Sequence, residues 1–267
     1  MKAKMQIISS KDNEIVKQIK KLKDKKYRDI ENAYVIEGIK LLKEAISEKA
    51  DIRQIIICDD CEKTEEISKE LMYEIAKYEC NYVTSKVFKY LTEVKTPQGI
   101  LAVIGKTPKD QEIDYTQDII VALDDIQDPG NLGTILRTVD SIGLNQILVS
   151  KETADSFNPK VVRSTMGAIF RVKVIECDNL IEKLKDARKH KYKVVVSSLQ
   201  TTNSVYDIDY KKKVIVIGNE GNGVKKEIQE MADEKIKIPM LGKTESLNAS
   251  VATGVILYEY VRQKLSK

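Results

Sequence analysis

The chain has 267 residues, 42% hydrophobic and 32% charged, with a net charge of +4 and one histidine, as expected for a soluble globular protein of one to two domains. Every apolar run stops short of the ~18 to 20 residues that a membrane-spanning helix needs, and "MKAKMQIISSKDNE" at the N-terminus has no apolar stretch behind its lysines. A cytoplasmic protein without a membrane span is therefore expected.

Residues 1–30 hold ten Lys or Arg against four acids, a net of +6 that leaves −2 for the rest of the chain. The run "KQIKKLKDKKYR" reads either as the solvated face of an amphipathic helix through about 28 or as a stripe for phosphates, with Lys20, Lys21, Lys25, Lys26 and Arg28 as the candidate contacts. A short strand "AYVIEG", a helix "IKLLKEAISEK" and a strand "IRQIIICDD" follow. A helix around 64–79, a strand near "NYVT", a helix "SKVFKYLTEV" and a strand "GILAVIG" complete a small α/β unit. The cysteines at 58, 61, 80 and 177 include one Cys-x-x-Cys pair, but a zinc site needs two more ligands and His190 offers no partner. Free thiols and no metal are expected, and His190 reads as a surface residue.

The polar segment 106–118 carries a proline and no periodicity, which places a linker over 106–117 between domains 1–105 and 118–267. The second domain alternates strands near 118–124, 146–150, 171–176, 193–198, 213–218 and 234–238 with helices near 131–142, 158–168, 179–190, 223–232 and 247–264. Val/Ile runs such as "KVIVIG" predict strands buried on both faces, hence a parallel sheet with helices on both sides. Ligands in such sheets bind beyond the C-terminal ends of the strands.

Three turns there carry unusual residues. In "DPGNLGTILRT", 128–138, Asn131 is placed to cap a helix whose buried face is Leu132, Ile135, Leu136, Val139 and Ile142. Thr134 and Arg137 then lie together off that face; the bland alternative for Arg137 is a surface pair with Asp140. The turn "GNEGNG", 218–223, admits close approach to backbone amides, but its Gly-x-x-Gly-x-Gly spacing after a late strand fails the dinucleotide fingerprint. In "IKIPMLGKTESLNASVATGVILYEY", 236–260, a loop leads into a helix beginning at about Leu247 with Ser246 as its expected cap. The small residues 249–254 suit either a helix–helix contact or a close approach of backbone to a ligand.

Together these turns resemble, in order and spacing, the three signature motifs of the SpoU (TrmH) family of RNA ribose 2′-O-methyltransferases. The catalytic resemblance covers roughly 118–267; "YVIEGIKLLKEA" and "PQGILAV" more loosely resemble an N-terminal RNA-binding domain like a small ribosomal protein. The resemblance implies a SPOUT fold, a parallel α/β sheet with a deep trefoil knot that general topological rules do not suggest. It also implies S-adenosylmethionine held at Gly218, Ile238, Met240, Gly242 and Leu247, and a homodimer packed through the knot region. Arg137 is implied to act on the 2′-hydroxyl, with Asn131, Glu220, Ser246 and Asn248 in the same cleft. A guanidinium is a poor base, so holding phosphate and stabilising oxyanion charge is an equal alternative. The expected reaction is methyl transfer to a ribose 2′-hydroxyl of ribosomal RNA. Transfer RNA as substrate, or a non-catalytic RNA-binding assembly protein of the same fold, are the alternatives; a nucleotide-binding oxidoreductase is disfavoured by the glycine spacing.

Overall fold

The computed structural model describes residues 7–61, 67–106 and 112–266. In chain order they form β1 (Ile7–Ile8), α1 (Glu14–Lys21), α2 (Lys25–Ile30), β2 (Ala33–Glu37), α3 (Ile39–Ser47), β3 (Ile52–Cys58), α4 (Lys69–Ile75), β4 (Cys80–Val83), α5 (Ser85–Leu91) and β5 (Ile100–Gly105). Then come β6 (Ile119–Asp124), α6 (Pro129–Ser141), β7 (Gln146–Ser150), α7 (Pro159–Thr165), β8 (Lys173–Cys177), α8 (Leu180–Lys189), β9 (Lys193–Ser197), β10 (Lys213–Gly218), α9 (Lys226–Met231), β11 (Glu234–Ile236) and α10 (Ala249–Leu265). Among them no helix is long and apolar enough to cross a membrane. Two compact units result: Met1–Thr107 with Phe157–Phe170, and Pro108–Ser156 with Arg171–Lys267.

The first unit is a five-stranded sheet in the order β1-β4-β3-β5-β2, in which β5 runs antiparallel to both neighbours. Side chains alternate across its pleat. Ile55 and Ile57 of β3 face a core containing Leu42 and Leu71, while Ile56 and Cys58 face Val16, Val87 and Phe88. Residues Phe157–Phe170 pack with this unit: Val162 joins the first of these cores, and the Phe157 ring lies 4.7 Å from that of Tyr34.

The N-terminal basic run is two helices, where the sequence pattern predicts one. Asp24 accepts from the Lys26 N–H at 2.9 Å and so starts α2 afresh. Arg28 corrects the sequence reading. It is 2% exposed and donates to the carbonyls of Leu22 and Lys23 at 2.8 and 2.7 Å, satisfying the groups that the helix break leaves open. A guanidinium used in this way does not reach a phosphate at the surface. Lys20 is half-buried against Tyr90, donating to its carbonyl with Nζ 4.2 Å from the ring centre; burial, then Lys23 beside it, brings its pKa down to about 8. Lys21, Lys25 and Lys26 are exposed.

Cys58 and Cys61, expected as free thiols, are joined in a disulfide with Cα atoms 5.5 Å apart, which the tight turn after β3 brings together. Cys80 and Cys177 are free.

The second unit is a six-stranded, all-parallel sheet in the order β11-β9-β10-β6-β7-β8. Val194, Val196, Val214 and Val216 face α8 and α9 residues such as Leu184 and Ile228, and α10 packs against α6 and β10 on the sheet's other side. The segment read as a linker is short on described residues. Lys106 belongs to the first unit through a 2.6 Å pair with Asp29, while Ile113 and Tyr115 pack on the second unit's core; residues 107–111 lie outside the described part. His190 is exposed and stacks on Tyr115 with ring centres 3.8 Å apart.

Candidate active site

β10 lies between β9 and β6, and its register with β6 ends on the pair Gly218–Asp124, so the turns after these strands leave the sheet at one level. The turn after β6 is capped by Asp128, whose side chain accepts from the Asn131 N–H at 2.8 Å. Asn131 is therefore not the cap that the sequence suggests: Pro129 already stands inside the helix, which puts Asn131 in its first turn. Its side chain is instead turned inward at 8% exposure. The amide donates to Glu220 Oε1 at 2.8 Å, and its oxygen accepts from Asn248 Nδ2 at 3.0 Å.

Asn248 in turn caps α10, accepting from the backbone N–H groups of Ser250 and Val251 at 3.0 and 3.4 Å. The helix begins at Ala249, so Ser246, the expected cap, stays in the loop before it. Glu220, Asn131 and Asn248, one from each motif, thus form a continuous hydrogen-bonded chain. Asn131 is the buried member, and a polar group removed from water is costly unless paired; the exposed Glu220 and Asn248 satisfy its amide at both ends.

The 218–223 turn is held mainly by its own residues. Asn219 and Gly223 exchange backbone hydrogen bonds at 3.0 Å each, and Asn219 Oδ1 accepts from the N–H groups of Gly221 and Asn222 at 2.9 and 3.0 Å. Asn219 Nδ2 donates to the Asp125 carbonyl at 2.9 Å, tying this turn to the one after β6. A Cβ at Gly218 would stand 2.1 Å from the Gly223 carbonyl carbon, so only glycine allows the chain to fold back here.

Beside the turn lies a cavity of about 580 Å³, within the range of cofactor sites. Gly218, Ile238, Met240 and Leu247, the sequence-derived cofactor residues, line it, as do Glu220, Ser246 and Asn248. Gly242 does not; it lies in the exposed stretch of the loop before α10. Sequence reading missed Ser197, Ser198, Leu199 and Gln200, which run from the last residue of β9 into the following loop and line the cavity. The available signal was positional, since a strand end beside β10 must border the same crevice.

Arg137 lies six residues beyond Asn131 on α6, roughly 9 Å along the helix axis. It is exposed, as is Thr134 one turn back. Asp140, its alternative surface partner, is held by Arg171, whose Nε lies 3.0 and 3.1 Å from the two carboxylate oxygens and whose NH2 is 2.9 Å from Oδ2. Arg137 makes no hydrogen bond or ion pair with a described residue. The fold therefore places Glu220, Ser246 and Asn248 at the cavity, ties Asn131 to it through Glu220 and Asn248, and leaves the exposed Arg137 outside that network.

These motifs match a known family model, the SpoU rRNA methylase family, over residues 118–258. The chain belongs to that family. Residues 13–102 match a second model, the MRM3-like substrate-binding domain. Among curated family members, the Bacillus subtilis 23S rRNA (guanosine(2553)-2′-O)-methyltransferase RlmP is 32% identical over 95% of this chain and 98% of its own length. Of solved structures, the AdoMet-bound rRNA methyltransferase of Sinorhizobium meliloti superposes with a TM-score of 0.81 at 29% identity, covering 98% of this chain and 99% of that one. The SpoU methyltransferase AviRb of Streptomyces viridochromogenes, in complex with AdoMet, does so with a TM-score of 0.84 at 25% identity, covering 95% and 99%. The mixed α/β fold with its parallel second sheet is thus the family's fold over nearly the whole chain.

Proposed function

We infer that the protein transfers the methyl group of S-adenosylmethionine to a ribose 2′-hydroxyl of ribosomal RNA. One observation carries the reading: three distant motifs meet in the Glu220–Asn131–Asn248 chain beside a cavity of cofactor size, and the helix that holds Asn131 presents Arg137, which pairs with no described residue. The cavity suits the cofactor chemically. Ile238, Met240 and Leu247 offer an apolar seat for an adenine, and Glu220, Ser246 and Asn248 supply polar groups at the cavity wall.

When bound, S-adenosylmethionine supplies a methyl group that is already electrophilic, so the protein needs neither a nucleophile nor a metal of its own. This chain's residues must hold the ribose oxygen in line and ease removal of its proton. Arg137 is assigned to the RNA side, clamping a phosphate and stabilising negative charge on the oxygen, because a guanidinium stays protonated and does not serve as a base at neutral pH. Asn131 orients the start of α6, and Glu220 and Asn248 fix Asn131. Ser246, at the cavity edge, is placed to bond the methionine part of the cofactor or the ribose.

In this reading the first unit grips RNA, through Lys21, Lys25 and Lys26 of the α1–α2 face, and the second carries out the transfer. The trefoil knot, a cytoplasmic location and pairing of two copies through α10 belong to the same reading. Val251 and Tyr258, 52% and 53% exposed on one stripe of α10, support the pairing.

Two measurements test it. S-adenosylhomocysteine at 100 times its Kd should stabilise the protein by about 2.7 kcal/mol, seen as a rise in Tm, whereas NAD should leave the Tm unchanged; a response to NAD alone overturns the assignment. Changing Lys21, Lys25 and Lys26 together to glutamine should weaken RNA binding and lower the slope of log K against log salt by up to about 2 to 3. An unchanged slope removes this face from the RNA contact.

A further inference from the structure

Asp124 ends β6 and is 1% exposed. Its Oδ2 accepts from the backbone N–H of Lys225 at 2.7 Å, while its Oδ1 makes no hydrogen bond and lies 3.6 Å from Lys225 Nζ. Lys225 is the N-cap of α9, and its own side chain makes no capping bond. The other end of the same turn, Gly218, is the register partner of Asp124 in the β10–β6 ladder. One residue of β6 therefore holds both ends of the 218–225 segment, and it does so from behind, since Asp124 does not line the cavity.

A buried carboxylate is a costly way to fill this position. Burial pushes the Asp124 pKa up, against the opposing pull of the Lys225 N–H and ammonium group. The ammonium is shared with the exposed Glu152, 3.2 Å away. An apolar side chain would avoid the desolvation cost, so fold stability alone does not account for the carboxylate. What it supplies is a strong acceptor at a fixed point, at the place where the glycine turn must stop and α9 begin.

We propose that Asp124 is a positioning residue for cofactor binding: it fixes the 218–225 segment, and with it Glu220 and the other turn residues at the cavity edge, without touching the cofactor. The proposal rests on the reading of that cavity as the S-adenosylmethionine site. Three changes separate its parts. Asp124→Ala removes the acceptor, Asp124→Asn keeps an acceptor without the charge, and Lys225→Pro, at a φ of −53° that proline adopts, replaces the donor N–H with a ring methylene that Asp124 Oδ2 must move away from.

Affinity for S-adenosylhomocysteine is read by titration calorimetry on the full chain, with KM for S-adenosylmethionine, kcat and RNA affinity alongside. Asp124→Ala and Lys225→Pro should each weaken cofactor binding about tenfold or more and raise KM, with kcat at saturation and RNA affinity little changed. Their effects should not add in the double variant, as expected for two halves of one contact. Asp124→Asn and Lys225→Ala should stay within about threefold of the parent, the loss being tied to the bond and not to the charges. Wild-type affinity in folded Asp124→Ala, full additivity with Lys225→Pro, or an Asp124→Asn as impaired as the alanine variant overturns the proposal. If Asp124→Ala does not fold, Lys225→Pro against Lys225→Ala decides alone. Failure of the unaltered protein to bind S-adenosylhomocysteine instead removes the site reading itself.

Discussion

Arg137→Ala is expected to lower kcat by on the order of 10²- to 10³-fold, the loss seen when one preorganised donor to a developing oxyanion is removed. Cofactor affinity should stay within about twofold, because a group acting only on the reacting oxygen leaves ground-state cofactor binding alone. The structure gives this change an unusually clean reading. Arg137 is exposed and makes no hydrogen bond or ion pair with a described residue, Asp140 being held by Arg171. Its removal should therefore leave stability within about 0.5 kcal/mol, as for surface substitutions generally. Arg137→Lys keeps the charge but loses the planar fork, and should recover only part of the rate if the contact is bidentate to phosphate. Full turnover in the alanine variant would take Arg137 out of the chemistry and restore its reading as a solvated helix face.

Gly218→Ala should be strongly destabilising to the second unit. The added Cβ would stand 2.1 Å from the carbonyl carbon of Gly223 and 2.2 Å from the Val224 nitrogen. Both contacts are backbone, so no side chain can move aside, and the turn must open. Overpacking of this kind costs about 1–3 kcal/mol, and the upper end is expected here. For a unit of this size that corresponds to a fall in Tm of roughly 2–4 °C per kcal/mol. Opening the turn also displaces Glu220, so S-adenosylhomocysteine binding should be largely lost even in the folded fraction. Calorimetric unfolding with and without S-adenosylhomocysteine separates the two effects. A variant with parental Tm and affinity would mean that the close approach at Gly218 is unimportant.

The elements of the fold were legible because their pattern is local. Runs such as Lys213–Gly218 are buried throughout, and period-2 alternation in β3 distributes Ile55 and Ile57, Ile56 and Cys58 to opposite cores. Three turns rich in Gly, Asn and Pro marked the ends of strands where a parallel sheet binds ligands, and the family resemblance attached chemistry to them.

What escaped the sequence was set by long-range contacts. In "DDIQDPGN" both Asp128 and Asn131 are good caps by type; Pro129, favoured at the first helical position, makes Asp128 the cap, and the freed Asn131 finds Glu220 89 residues away. Arg28 reads as one more cation in a basic run, yet the helix break at Asp24 leaves carbonyls that draw it inward. The loop after β9 has no distinctive composition, and only the strand order brings Ser197–Gln200 to the cavity. Asp124 looked like the last residue of an apolar strand, and its partner at Lys225 is 101 positions distant.

The central claim is methyl transfer to a ribose oxygen, and the chemistry of RNA itself provides the most direct test. Ribosomal RNA lacking the modification is incubated with the protein and S-adenosylmethionine labelled in its methyl group, then digested with alkali. Alkaline cleavage uses the 2′-hydroxyl as nucleophile, so a 2′-O-methyl group blocks it. Label recovered in alkali-resistant dinucleotides, and absent when Arg137 is alanine, is the predicted result. Label in mononucleotides would place the methyl on a base, and RNA bound but never labelled would point to the non-catalytic assembly protein; either contradicts the function proposed here.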